Sequence, residues 1–422
     1  MRVRDPSFAV KAQLTRQVAH WSVAIARLGN LDDLASATAW NGLERYLGLS
    51  IRQHLTGVVE RLKRQVAHMA AGLSAAASPA DLENIHRQLL AFRKQYLRAE
   101  TTLDFFADAI NTRTSPTIAG LLKACDSLGY RSMTAILDPL GKATPVVLTY
   151  LDKGLGASIL KAGVRLWDGA GENPVAAIKM VPQNLHRPTS LIHETGHQVA
   201  HITGWNQEMA SAYENELEGA PAGVARVWAG WVSEIAADAF AFVHTGYASV
   251  AALHDVLAGD PGSVLRHIPG DPHPISYIRV LLGVEMCRQF YGAGAWDDLS
   301  LAWGLYYPLD LAPVRTAALL QASLPLLPKI VDLTLCRSMQ AFGGRPLSDR
   351  IEPARVSPQA LEGLERRLGP ALYTSMHWIW TESLRLLALT GLRAATLPLQ
   401  AAETYQRQES WMLRLGGALQ AA

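Results

Sequence analysis

The chain has no uninterrupted run of the roughly 18 apolar residues that a membrane-spanning helix requires. The apolar stretch from Ala317 to Leu327 ends at Pro328-Lys329, and the one from Leu384 to Leu399 is cut by Arg385, Arg393 and Pro398. Met1-Arg2-Val3-Arg4-Asp5-Pro6 lacks the apolar core of a signal peptide. These absences predict a cytoplasmic protein with no integral membrane segment, leaving only a non-standard route for export. Cysteine is scarce: Cys125, Cys287 and Cys336 are odd in number, far apart and without metal-ligand spacing. They predict reduced thiols and not a disulfide framework. Charge is also low, with 18% charged residues and a net charge of +2. That balance gives no electrostatic footprint for nucleic acid or for an anionic membrane surface. We find no Ser/His/Asp arrangement, no alternation of basic and aromatic residues, and no repeat. The glycines of Phe342-Gly343-Gly344-Arg345-Pro346 lack the strand–loop–helix setting of a phosphate loop.

What the chain has is apolar material and helical periodicity. Hydrophobic residues are 49% of 422, enough for two or three domains with their own cores. Residues 7–110 read as long amphipathic helices: Val10, Leu14, Val18, Trp21, Ile25 and Leu28 recur at helical spacing, and so do Ile51, Leu55, Val58, Leu62, Val66 and Met69. Ser78-Pro79-Ala80-Asp81 supplies a cap, a first-turn proline and an acidic third residue. The Arg-, Lys- and Gln-rich polar faces read as solvated bundle, with a partner surface as the sharper alternative. Residues 111–143 read as shorter helices around Gly129 and Gly141. Strand-like segments follow at Val146–Leu151, from Ser158 through Trp167, and at Val175–Val181, with a turn from Asp168 to Asn173-Pro174. From there the chain reads as helical again, with helices from about Gln207 to Leu217, Pro221 to Thr245 and Pro274 to Tyr291. Trp228, Trp231, Trp378, Trp380 and Trp411 read as core.

The most informative stretch is Leu191 to His201, which contains His193-Glu194-Thr195-Gly196-His197. Arg187-Pro188-Thr189-Ser190 offers a helix start and Gly204 a stop. Residues four apart sit one turn apart on nearly one face of a helix. Both imidazoles can therefore reach one metal ion, with Glu194 placed beside it as a general base for water. Zinc is the expected ion, held by two His and a third protein ligand. A His ten residues after His193 is absent, since that position is Thr203, and His201 lies too far along the axis, so it reads as a supporting or core residue. Glu214, Glu216 and Glu218 are nearer rivals, but their acidic run reads as a solvated helix end. Glu234 is preferred: it shares an apolar helix with Asp238 one turn on, and a buried Glu/Asp pair needs cations or donors to meet it. Zinc would meet Glu234, and the N–H of a ligand His would meet Asp238.

His193-Glu194-x-x-His197, followed by Glu234-x-x-Ala237-Asp238 and by His273-Pro274 with Arg279 five residues after the proline, resembles the gluzincin metallopeptidases. The likeness is to the branch holding the CAAX prenyl proteases and the HtpX-like heat-shock membrane proteases, whose membrane helices this chain lacks. The three motifs span residues 193–279. The resemblance implies a catalytic role for His273 in holding the tetrahedral intermediate. Tyr277, four residues after His273, is a candidate second oxyanion donor or a core tyrosine. Arg279 is a candidate substrate contact or, preferably, the partner of a carboxylate.

The expectation is a mostly α fold with a small β-sheet (α+β): a helical region at 1–143, a zincin-like metallopeptidase core at 144–293, and a helical region at 294–422. The expected function is a zinc metallopeptidase acting on a peptide or protein, with one strand, Val175–Val181 as first choice, open at the sheet edge to pair with substrate. The alternatives are a zinc hydrolase of a non-peptide amide and a silent zinc-bearing helical scaffold. An edge strand open beside the metal favours peptides, and a site sealed by Trp-rich helices favours the scaffold.

Overall fold

The computed structural model describes residues 6–153, 157–163, 173–221 and 223–418. It is mostly helical with one small mixed sheet, and it divides into two compact units, the first holding the described residues up to Thr114 together with Gly163, Asn173 and Pro174, and the second formed by Ser115–Ala162 and Val175–Ala422. The segment 115–143, read from sequence with the N-terminal helices, lies in the second unit because its helix packs on the sheet and on the His193 helix.

The first unit is built from α1 (Pro6–Leu28), α2 (Ala37–Leu47), α3 (Ile51–Ala75) and α4 (Pro79–Asn111). Helical spacing puts Leu14, Val18 and Ile25 on one face of α1 and Leu55, Val58, Leu62, Val66 and Met69 on one face of α3, and all are buried. At the start of α4 the Ser78 hydroxyl accepts from the Asp81 N–H while Asp81 Oδ2 accepts from the Ser78 N–H at 2.9 Å, a reciprocal cap.

In the second unit, α5 (Pro116–Leu137) is one continuous helix and not several short ones. Gly129, read as a break, permits close approach: a Cβ there would lie 3.2 Å from Val147 Cγ1 and 3.3 Å from Thr195 Cγ2. The sheet holds β1 (Val146–Leu151), β2 (Ser158–Leu160) and β3 (Val175–Met180) in the order β1-β3-β2. β1 runs parallel to β3 and β2 antiparallel to it. The strand expected at Val164–Trp167 and the turn from Asp168 lie outside the described residues, apart from Asn173-Pro174. The central strand is β3, so the first choice of an open edge at Val175–Val181 is corrected. Its near-complete burial, Val175 to Ile178 at 0 or 1% exposure, is what a strand covered on both faces and both edges requires.

Next come α6 (Thr189–Thr203) and α7 (Trp205–Glu216), then α8 (Val224–Gly230) and α9 (Val232–Thr245). The single helix expected from Pro221 is broken at Trp231, which ends α8 and begins α9. That break puts Glu234 in the first turn of α9, where a carboxylate also meets the positive end of the helix dipole. α10 (Tyr247–Leu257), the short α11 (Pro261–Val264) and α12 (Ser276–Tyr291) follow. Trp228, Trp231 and Trp411 are in the core, whereas Trp380 is 41% exposed.

Among the described residues one helical run, Val314–Cys336, is long and apolar enough by length and composition to cross a membrane. In the sequence this apolar stretch ends at Pro328-Lys329. Pro325 and Pro328 instead fall in first turns of successive helical segments, where proline removes no needed hydrogen bond. The run packs inward through Leu320, Ile330 and Val331. It also carries buried polar contacts from Trp228 Nε1 to Ser323 Oγ at 3.1 Å and between Tyr213 and Thr334 at 2.5 Å.

Candidate metal centre

The centre forms where α6 crosses α9. At the crossing, a Cβ on Gly196 would lie 2.9 Å from Ala237 Cα and 2.9 Å from Phe240 Cβ. Only glycine fits, so the backbones touch. Ala237 is flanked in sequence by the turn that carries Glu234 and Asp238, and Gly196 by His193 and His197. The close approach is therefore what brings four polar side chains together inside an apolar crossing. Gly196→Ala is expected to cost about 1–3 kcal/mol of stability by overpacking and to weaken metal retention by parting the two helices. Denaturant titrations with and without a chelator check this, and unchanged values in both would show that the helices do not depend on this contact.

His193 Nε2 lies 3.4 Å from Glu234 Oε2, and His197 Nε2 lies 3.3 Å from Glu234 Oε1. One ligand atom from each of His193, His197 and Glu234 falls within 4.8 Å of the others, so the group can hold a metal ion. The fit is good, because a tetrahedral ion with bonds of about 2.0–2.1 Å keeps neighbouring ligand atoms about 3.4 Å apart. Each ring is also oriented from behind. His193 Nδ1 is 2.8 Å from Asp238 Oδ1, and His197 Nδ1 is 3.3 Å from Ser233 Oγ. Arg279 donates from Nε to Asp238 Oδ2 at 2.6 Å, and from Nη2 to Asp238 Oδ1 and to Glu234 Oε2, both at 2.9 Å.

The electrostatics follow from this packing. Burial pulls the His193 pKa down, but the hydrogen bonds to Asp238 and Glu234 overcome it and push the value up to about 10. The site thus stabilises a positive charge at a nitrogen that also suits a metal. Burial tends to raise the Glu234 pKa, but His193, His197 and Arg279 hold it far below the usual carboxylate range. Asp238 is likewise held low, burial being outweighed by Arg279 and His193. Glu194, 6% exposed, behaves in the opposite way. Burial raises its pKa above the usual value, His193 and His197 offset only part of this, and Glu234 adds to it. Burial lowers the Lys161 pKa, against the pull of Glu234 and Glu194.

These residues line one cleft of about 600 Å³. One wall is Ala157, Ser158, Ile159 and Lys161, so the sheet edge beside the centre is β2. The far wall is apolar, with Val250, Leu253, Leu257, Leu282 and Met286. Among the described residues no tryptophan lines the cleft. His273 stands at the rim, 61% exposed. Its Nε2 is 3.7 Å from Glu234 Oε1, and Asp271 Oδ1 accepts from its ring at 2.7 Å and from its backbone N–H at 2.9 Å.

Other sequence candidates fall elsewhere. Tyr277 does not line the cleft; it is 7% exposed in the core, where its carbonyl accepts from Trp303 Nε1 at 3.2 Å. His201 is exposed and not a supporting residue, because the helix turns that position outward. Glu214, Glu216 and Glu218 are exposed, and Glu216 pairs with Arg337 at 2.9 Å.

The sequence reading did not single out Ser233, Asp271 or Gln198. Gln198 is fully buried: its Oε1 accepts from the Ala162 N–H at 2.8 Å and its Nε2 donates to the Ala162 carbonyl at 3.1 Å. It thereby fixes the end of the β2 wall to α6. The available signal was its position beside His197, since a buried amide must find partners. Comparisons with protein-family models, curated proteins and solved structures give no match to this chain.

Proposed function

We propose that the protein is a zinc-dependent peptidase of gluzincin type. The observation that carries this reading is the meeting of His193, His197 and Glu234 in an accessible cleft, with Glu194 beside them and a sheet edge along one wall. Two nitrogens and one carboxylate form a zinc donor set of catalytic kind, with three protein ligands. When bound, zinc supplies a Lewis acid that polarises a carbonyl and makes water nucleophilic near neutral pH. Glu194 takes the proton from the attacking water and returns it to the leaving amine. Its raised pKa suits that exchange, since a base works best when its pKa approaches the operating pH. Asp238 holds His193 with Nδ1–H toward itself, which would leave Nε2 to hold the ion, and Ser233 steadies the ring of His197. His273, oriented by Asp271, stands where it can donate to the developing oxyanion. Among the described strands β2 is the one at the sheet edge beside the centre, where an extended peptide would lie, and the apolar wall offers room for a side chain. This access favours a peptidase over a sealed scaffold.

Metal analysis tests the reading. The protein is expected to bind one zinc per chain, and His193→Ala to lose it while remaining folded. Chelation should abolish cleavage of a broad peptide library by the parent chain. Full zinc retention in folded His193→Ala would remove the ligand assignment, and chelator-insensitive cleavage would remove the mechanism.

A further inference from the structure

We propose that a second cavity, at the N-terminus of the helix Ser383–Thr396, binds a phosphate-type oxyanion. The cavity is about 330 Å³ and lies at the far end of α9 from the metal ligands. None of its lining residues lines the metal cleft. One water occupies about 30 Å³ of liquid, so the space admits an oxyanion with attendant water.

Three kinds of group converge there. The first is an uncapped helix end. The helix Ser383–Thr396 is 14 residues long, and the side chain of its N-cap residue, Glu382, makes no capping hydrogen bond. The first turn of such a helix presents N–H groups and positive potential.

The second is a set of buried polar atoms without partners. Ser383 Oγ, His244 Nε2 and Arg131 Nε are all buried, and none has a hydrogen-bond partner. Ser383 is 0% and His244 4% exposed. Buried polar atoms without partners are rare, and each is costly, so three around one cavity point to a missing ligand.

The third is cationic charge. Arg131, whose guanidinium lies 4.9 Å from the centre of the Trp380 ring, Arg385 and the exposed Arg355 all line the cavity. Two carboxylates also line it. Glu382 is committed to Arg385 at 3.1 Å, and Asp138 Oδ1 accepts from Thr144 at 3.1 Å. The guanidinia outnumber the carboxylates.

The donor set also selects among anions. His244 meets the Ser132 backbone on its other side, and burial lowers its pKa to about 3, so its ring is neutral. Nε2 then offers a lone pair, which a P–OH can satisfy and a sulfate ion cannot. Arg131, Arg355 and the helix N–H groups meet the remaining oxygens, while Arg385, which donates to Glu382 and to the Arg355 and Ala360 carbonyls, adds charge only.

Calorimetric titration of the zinc-loaded full chain with inorganic phosphate at neutral pH tests the proposal. One saturable site is expected. Ser383→Ala and Arg355→Gln should each weaken it about tenfold or more, the loss typical of a hydrogen bond to a charged group. Arg355 is exposed, so its variant is safe to fold. Sulfate should bind at least about tenfold more weakly, because it leaves His244 unpaired. His193→Ala should bind phosphate as the parent does. The proposal is overturned if no saturable binding occurs in the millimolar range, if sulfate binds equally well, or if both cavity variants bind unchanged. It is also overturned if binding disappears in His193→Ala, which would put the phosphate on the metal and leave the peptidase reading intact.

Discussion

Glu194→Gln is expected to fold, to keep its metal and to hydrolyse peptides at least about a hundredfold more slowly than the parent chain, within the roughly 10²–10⁴-fold that a positioned base contributes. Glu194 is not needed as a ligand, since His193, His197 and Glu234 already provide three donors. Yet it is 6% exposed and sits among other carboxylates, a placement with an energetic cost unless the group is used. Glutamine keeps the shape and removes the proton acceptor. The measurement is turnover on a peptide library that the parent cuts, beside metal content for both proteins. A variant that cuts as fast as the parent ends the case for Glu194 as the base. A variant that loses its metal would mean that Glu194 is also a ligand.

The parts of this molecule that were legible in the sequence are those governed by local spacing. The helix of His193 and His197, the Ser78 cap and the amphipathic faces of α1 and α3 each follow from residues a few positions apart, and the mostly helical fold with a small sheet follows from their sum. What was not legible depends on contacts between distant segments. β2 became the edge because β3 is paired on both sides, a pairing that no single strand records. Gly129 reads as a breaker in sequence and acts as a contact point, because its neighbours across the gap belong to β1 and α6. Tyr277 shares a helical spacing with His273, but His273 precedes α12 in a loop, so the spacing does not place them on one face. Arg279 is the intermediate case. Its position within the third motif was visible, whereas its bidentate grip on Asp238 appears only once α12 packs against α9.

Arg279→Met is expected to lower stability by about 3–5 kcal/mol at neutral pH, because it leaves two buried carboxylates without their shared cation. Arg279 is 7% exposed and bridges Asp238 and Glu234 through three hydrogen bonds, and methionine replaces its bulk without its charge. The pH dependence follows from the sign of the shifts. Burial raises both carboxyl pKa values, but Arg279 and the histidines bring them below the usual range in the fold. Groups shifted down in this way contribute stability that is present above their unfolded values, near about 4, and is lost as pH falls through the folded values. In the parent that contribution is lost only at pH below the usual carboxylate range. In the variant the folded values rise, so the deficit should be largest at neutral pH and shrink as the pH approaches about 4. Added zinc should recover part of the loss at neutral pH, because it brings a cation to Glu234. Denaturant midpoints at neutral and acid pH, with and without zinc, measure all three effects. A deficit below about 1 kcal/mol, the ordinary value for an exposed pair, or one that does not change with pH, would show that Arg279 is not what holds the two carboxylates charged.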